Sequence, residues 1–308
     1  MRIIAILNRD GGTLKTMDLD AFSTSARAIF AGHGHDLECE AVSGRQVEQR
    51  LRAAAATPGI DAIMAGGGDG TISTAAGIAF ETGVPLAILP AGTMNLFARA
   101  LQIPLALPEA LEALAAGSIG PVDIATANGR PFVHQFGVGI HARLVKIREG
   151  MNYSSRWGKI IASTRAVIAA AIRPPRFEAE LRSAAGLERR DVSGIAVSNN
   201  PLGEGHIPHA DEVTTGLLGV YIAAPMSTTD LLKLAAGLMA GSWRDSPMVS
   251  ENEVAEVILH FPRRKRGASA VIDGELTRLD KTVQIRMHPG GLKVLLPRTN
   301  PLEENNQN

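Results

Sequence analysis

Short unbroken apolar runs alternate with longer amphipathic stretches through the first third of the chain, and near residue 122 that rhythm gives way to short β-rich runs. The runs 2–8, 36–42, 60–65 and 85–89 have the length of strands, and 2–8 reads as a buried first strand. The stretches 18–32, 44–56, 71–82, 93–101 and 108–117 between them read as helices. Strand and helix in strict alternation predict a parallel sheet with helices on both faces. From Val122 onward the strand-like runs are 131–140, 177–183, 190–199, 217–223, 254–261, 268–272, 283–287 and 292–296, with helical segments at 157–172 and 229–241. Such a series predicts a mostly antiparallel β-sandwich. The expected organisation is α/β, with a parallel αβα domain over 1–122 and a β-sandwich domain over 123–308. The last strand, 292–296, is a candidate to return to the first domain, and the tail 303–308 reads as disordered.

Chemistry enters at the end of the third strand-like run, where Gly66-Gly67-Gly68-Asp69-Gly70-Thr71 leads into a helix. Glycines allow a tight turn that brings backbone N–H groups against an anion, and the helix start adds a favourable dipole. The stretch is therefore a candidate phosphate loop, and the αβα domain a candidate nucleotide-binding domain. A carboxylate beside a polyphosphate needs a cation between them, so Asp69 points to nucleotide plus magnesium. Neither common nucleotide signature fits: no G-x-x-x-x-G-K-[ST] occurs, and Thr71 stands where G-x-G-x-x-G requires its third Gly. The plain alternative is a tight strand-to-helix turn without a ligand.

A second turn of this kind follows 85–89, in Pro90-Ala91-Gly92-Thr93-Met94-Asn95. Thr93 is placed as a helix N-cap or phosphate ligand, and Asn95 as a polar group near the helix start. Asn8, followed by Gly11-Gly12-Thr13, gives a third βα turn, in which Asn8 either contacts nucleotide or forms an Asx turn. Consecutive turns at the carboxyl ends of parallel strands are where such sheets bind ligands. Far along the chain, Asp273-Gly274-Glu275 closes the run 268–272 and puts two carboxylates at a strand tip. Asp-Gly between strand-like runs is also an ordinary hairpin signal.

Gly67-Gly68-Asp69-Gly70-Thr71, Gly92-Thr93-x-Asn95-x-Phe97-Ala98-Arg99 and Asp273-Gly274-Glu275 together resemble the diacylglycerol kinase catalytic-domain family, which includes bacterial lipid kinases and the sphingosine and ceramide kinases. The resemblance implies an ATP-dependent lipid kinase, with magnesium, that phosphorylates a hydroxyl of a diacylglycerol-like, phosphatidylglycerol or sphingoid lipid, in the setting of phospholipid biosynthesis. It makes Asp273 the candidate general base, with Asp69 a competing claimant, and Asp69 and Glu275 the candidate metal groups. It assigns Asn8, Gly66, Gly67, Gly68, Gly70, Thr71, Gly92, Thr93, Asn95 and Glu275 to the nucleotide. Little covalent help is available in phosphoryl transfer, so aligning the attacking hydroxyl and neutralising phosphate charge are what these residues would do. A soluble-substrate kinase of the same superfamily, acting for instance on NAD, and a non-catalytic lipid or nucleotide sensor are the alternatives.

The chain departs from the family in two places. Leu96 replaces an Asp in the second turn, and Thr214, Thr215 and Gly219 stand at three positions where some bacterial relatives carry the acids of a structural metal site, with Asp211 and Glu212 close by. Asp123, in a Val-Asp pair at the start of the second region, reads as structural or hinge-related. His206-x-x-His209-x-Asp211 has ligand-type residues but lies in a Gly- and Pro-containing loop without a completing cluster. His33 and His35 read as a helix-end and turn pair.

Bulk properties narrow the partners. With 31 basic and 31 acidic residues among 308, no global attraction to nucleic acid exists. One cysteine, Cys39, excludes an intramolecular disulfide framework, fits a reducing compartment, and reads as a small buried residue. The opening run 2–8 is too short for a signal-peptide core, and no stretch qualifies as a membrane span. The expectation is a cytoplasmic protein, peripheral at the inner face of the membrane. Contact there would come through the basic turn Arg263-Arg264-Lys265-Arg266, each cation contributing about 1 kcal/mol at most, and through the apolar positions of 157–172.

Overall fold

A computed structural model describes residues 1–149, 174–184, 186–204 and 209–298. Residues 1–122 with the described residues from 290 onward form one unit, and the described residues of 123–289 the other.

In the first unit the strands are β1 (Arg2–Asn8), β2 (Asp36–Val42), β3 (Ala62–Gly67) and β4 (Leu86–Pro90). The helices are α1 (Leu19–Gly32), α2 (Val47–Ala55), α3 (Asp69–Thr82), α4 (Leu96–Ala100) and α5 (Leu107–Ala115). The strands lie in the order β2-β1-β3-β4 and every pairing is parallel. Right-handed crossovers through that order put α1 on one face and α2 and α3 on the other. Burial on both faces explains why β3 and β4 are apolar without alternation: all their residues are buried. Asp18 caps α1, its carboxylate accepting the N–H groups of Asp20 and Ala21. His33 is the C-cap of the same helix, and the ring of His35 is 3.1 Å from the carbonyl of Ala115, as a helix-end and turn pair should be. Cys39 is half-buried on β2, where burial pushes its thiol up rather than activating it.

The second unit is a sandwich. Its strands are β5 (Ser118–Ala127), β6 (Arg130–Phe132), β7 (Gln135–Gly139), β8 (Phe177–Ser183), β9 (Gly186–Val192), β10 (Gly194–Asn199), β11 (Leu218–Ala223), β12 (Val249–Val254), β13 (Glu256–His260), β14 (Ser269–Ile272), β15 (Glu275–Arg278) and β16 (Thr282–Leu296). Of these, β5 and β16 begin or end in the first unit, where Val294 of β16 pairs in parallel with Leu86. Among the described residues two helices accompany them, α6 (Ile140–Glu149) and α7 (Thr228–Ala240). One sheet runs β12-β11-β10-β7-β14-β15, and the other joins β16, β13, β8 and β9, all antiparallel. Both sheets feed a single core that includes Phe136, Val138, Ile195 and Val220 from the first and Leu181, Val257, Leu259 and Ile285 from the second.

The α/β class with a following antiparallel sandwich is as expected from the sequence, but several elements differ. Runs 190–199 and 254–261 are each two strands, because the chain leaves one sheet and enters the other at Ser193 and at Ala255. Alternation survives such a crossing, so it leaves no trace in the pattern. Runs 283–287 and 292–296 are one strand, β16, carried through Pro289 and Gly290. The end of 131–140 is the start of α6, which buries Ile140, Ala142 and Val145 among the described side chains. Neither β5 nor β15 stands out in the hydropathy pattern. The segment 157–172 and the tail 303–308 lie outside the described residues.

Candidate active site

Because β1, β3 and β4 are neighbours, the turns that follow them stand together at the carboxyl edge of the parallel sheet. Asn8 closes β1; its amide donates to Thr71 Oγ1 at 3.0 Å and its Oδ1 accepts the Asp10 N–H at 3.1 Å. It thus forms the Asx turn and also ties the first turn to the start of α3. The Thr13 N–H donates to the Ala91 carbonyl at 2.8 Å, joining the first turn to the third. That approach needs glycine at 12, where φ is +51° and a Cβ would lie 1.6 Å from the Ala91 oxygen. The second and third turns touch as closely: a Cβ on Gly92 would meet Gly68 Cα at 2.7 Å.

Asp69 is the first residue of α3, and its carboxylate reaches across to α4. Oδ1 accepts the Leu96 N–H at 2.7 Å and Oδ2 the Asn95 N–H at 3.2 Å. The Leu that replaces the family's Asp at 96 does not disturb this bond, since only its backbone is used. Asn95 is buried and left-handed, with φ +52° and ψ +47°. Its side chain folds back on the turn, Oδ1 accepting the Gly92 N–H at 2.8 Å and Nδ2 donating to the Gly92 carbonyl at 3.2 Å.

Two details of the expected loops change. Gly66 and Gly67 are the buried last residues of β3, so the turn proper is Gly68 alone. Thr93 is not a helix N-cap: α4 starts at Leu96 because Asn95 has left the helical region, and Thr93 stands exposed ahead of it. What the cradle offers an anion is the first turn of α3, whose leading N–H groups have no acceptor within the helix, beside the exposed Gly70 and Thr93. The N–H of Gly92 is committed to Asn95.

In the second unit, Asp273 and Gly274, at φ +46° and +86°, form the two-residue turn of the β14–β15 hairpin. The Asp273 carboxylate accepts three backbone N–H groups, from Val133 at 3.0 Å and from His134 and Gln135 at 2.9 Å each. It clamps the hairpin to the connection between β6 and β7. Glu275, exposed at the start of β15, accepts from Arg130 Nη2 at 2.7 Å. No pattern in the sequence marks Arg130, which meets Glu275 only through the fold.

Asp123 is buried and holds the loop before β11: its Oδ2 accepts the Gly216 N–H and the Asn200 amide, both at 2.7 Å. Asn200 also donates to Thr215 Oγ1 at 2.9 Å. A Cβ on Gly219 would come within 2.7 Å of Ser198 Oγ and the Tyr221 hydroxyl. The acid that some relatives carry there has no room in this chain. Among the described residues no group of three His, Cys, Asp or Glu converges as a metal site. His206 lies outside the described residues, and His209 is 4.0 Å from Asp211.

An α/β unit with three interlocked βα turns, followed by a sandwich bearing an Asp-Gly-Glu hairpin, is the architecture of a class of two-unit kinases. Residues 2–127 match the diacylglycerol kinase catalytic domain. A Pseudomonas aeruginosa (strain UCBPP-PA14) protein named "Probable lipid kinase YegS-like" is 31% identical over 275 residues, covering 84% of this chain and 82% of its own. A diacylglycerol kinase of Mycobacterium tuberculosis (strain CDC 1551 / Oshkosh) is 28% identical over 279 residues, 88% of this chain and 84% of that one. The chain belongs to the diacylglycerol kinase catalytic-domain family. It spans 55% of the length of an uncharacterised Synechocystis sp. protein, sll0036, to which it is 28% identical over 77% of its own length. The fold is shared with a crystal structure of a diacylglycerol kinase from Bacillus anthracis str. Sterne, at a TM-score of 0.68 and 19% identity over 98% of this chain and 97% of that one.

Proposed function

We propose that the chain is an ATP-dependent lipid kinase that transfers the γ-phosphate to a lipid hydroxyl. The observation that carries this reading is the Asp69 bridge, which fixes two glycine turns against the start of α3 and leaves its first-turn N–H groups for a polyphosphate. Family membership supplies the reaction class, and with it ATP as the donor.

On the acceptor side the proton-accepting role expected of Asp273 passes to Glu275. The oxygens of Asp273 already serve three backbone N–H groups, whereas the Glu275 carboxylate is exposed and oriented by Arg130. Asp273 then positions the hairpin that carries the base. The donor set fits a magnesium ion that would arrive with the nucleotide and keep much of its water, because Asp69 is engaged by backbone amides and no cluster of acids is at hand among the described residues. Such an ion would neutralise charge on the transferring phosphate. Asp69 would hold its water, and the α3 amides would hold the phosphate oxygens.

Purified protein incubated with labelled ATP, magnesium and a total lipid extract tests the proposal. Label in the lipid fraction is expected. Label in a soluble product would instead make the chain a soluble-substrate kinase, and nucleotide binding without any transfer would make it a sensor.

A further inference from the structure

The buried carboxylate of Asp123 accepts two neutral N–H donors on Oδ2, the Gly216 amide and the Asn200 side chain, each at 2.7 Å. The same Asn200 nitrogen donates to Thr215 Oγ1 at 2.9 Å. It therefore stands between Asp123 and one of the positions where some bacterial relatives carry the acids of a structural metal site. With one hydrogen on each oxygen, Nδ2 occupies the point from which a cation would bridge them. Asn200 is fully buried at φ +65°, a left-handed conformation that Asn and Asp tolerate better than most side chains. Its Oδ1 accepts no hydrogen bond from the described residues, so the donor end alone holds the side chain.

The oxygen ligands that a divalent ion needs are engaged or missing here. Thr215 Oγ1 also accepts the Leu217 N–H at 3.2 Å. Thr214 donates its hydroxyl to Glu212 at 3.4 Å, and Asp211 accepts the Glu204 N–H at 3.2 Å. Both of these nearby acids are exposed, and Gly219 has no space for a side chain. The site does not fit the metal.

The same bonds extend to the acidic hairpin. Asn199 Nδ2 donates to the carbonyls of Asp123 at 3.1 Å and Val133 at 3.4 Å, and the Val133 N–H is one of the three held by Asp273.

We propose that Asn200 takes the place of a structural divalent cation in this chain. Its amide hydrogens tie Asp123 to Thr215 and, with Asn199, secure the connection between β6 and β7 without metal. A divalent ion then enters only with the nucleotide, a consequence that rests on the kinase reading; the amide lock itself does not.

The test uses the full chain without nucleotide, so its outcome is separate from that of the kinase assay. Melting temperatures are read in excess EDTA and in millimolar magnesium, manganese or calcium. The comparison is between the parent and Asp123→Asn, which keeps an oxygen for Gly216 and Asn200 but removes the charge. The shift that each divalent ion causes is expected to agree between the two proteins within about 2 °C. A larger shift in the parent overturns the proposal, because it puts a cation on Asp123. Asn200→Asp keeps the size and backbone preference of the side chain but sets a second carboxylate against Asp123. In EDTA it is expected to melt at least about 5 °C below the parent. Melting at the parent's temperature in EDTA overturns the proposal as well.

Discussion

Asp69 Oδ1 lies 2.7 Å from the amide nitrogen of Leu96, so the first residue of one helix holds the first residue of the next. A loop acid read as a metal group is thereby also a fastener between two turns. Asp69→Ala strands two amides, one of them on the buried Asn95, and is expected to cost about 2 kcal/mol in urea unfolding. Asp69→Asn keeps an acceptor and recovers about half of that, yet fails to restore transfer because the charge is gone. Recovery of turnover in Asp69→Asn would reduce Asp69 to the fastening role.

Gly12 and Gly34 both have positive φ, +51° and +76°, but their surroundings differ. A Cβ at 12 collides with the Ala91 carbonyl, whereas at 34 nothing lies within 4 Å. Gly34→Ala is expected to cost about 1 kcal/mol of backbone strain. Gly12→Ala must also open the contact between the first and third turns, so its melting temperature falls further and its affinity for nucleotide drops. Equal melting shifts in the two variants would show that the turns do not depend on that contact.

The two acids of the hairpin separate by what they touch. Asp273→Ala leaves three backbone amides without their acceptor and is expected to lower stability by about 2–3 kcal/mol. Glu275→Gln changes an exposed side chain and leaves the unfolding midpoint at the parent value, while turnover with saturating lipid falls about 100-fold or more. Turnover that survives in Glu275→Gln would return the base role to another group.

Tyr221 gives the second unit an alkaline limit. Burial pushes its hydroxyl up to about 12 from an ordinary 10, and the Leu202 N–H donates to its oxygen at 2.7 Å. The unfolded chain releases this proton near pH 10 and the folded chain only near 12, so the folded state holds more protons in that window and stability falls as pH rises through it. Urea midpoints measured from pH 9 to 11.5 are expected to decline, and Tyr221→Phe to decline less steeply from a lower starting value. Parallel pH profiles for the two proteins would remove Tyr221 as the cause.

The α/β order of the first unit was readable because strands buried on both faces leave continuous apolar runs, as in β3 and β4, and glycine marks the turns after them. The hairpin at Asp273-Gly274 was readable for a related reason, since both positions need positive φ. By contrast, the described side chains that α6 buries are Ile140, Ala142 and Val145, which make no broad apolar stripe. The splits at Ser193 and Ala255 were invisible because a strand that changes sheets keeps its alternation.

Residue types in order along the chain determined that this protein has three glycine-bearing βα turns, an acidic hairpin and a change of architecture near residue 122, since each follows from local backbone freedom or from a short periodicity. Which partner each of those residues meets was decided only by the tertiary structure. Asp69 finds the Leu96 amide, Asp273 finds three amides some 140 positions away, and Arg130 meets Glu275 across 145 positions. Hydrogen bonds and charge depend on distances in space, and a linear sequence carries those distances only once its strands have paired.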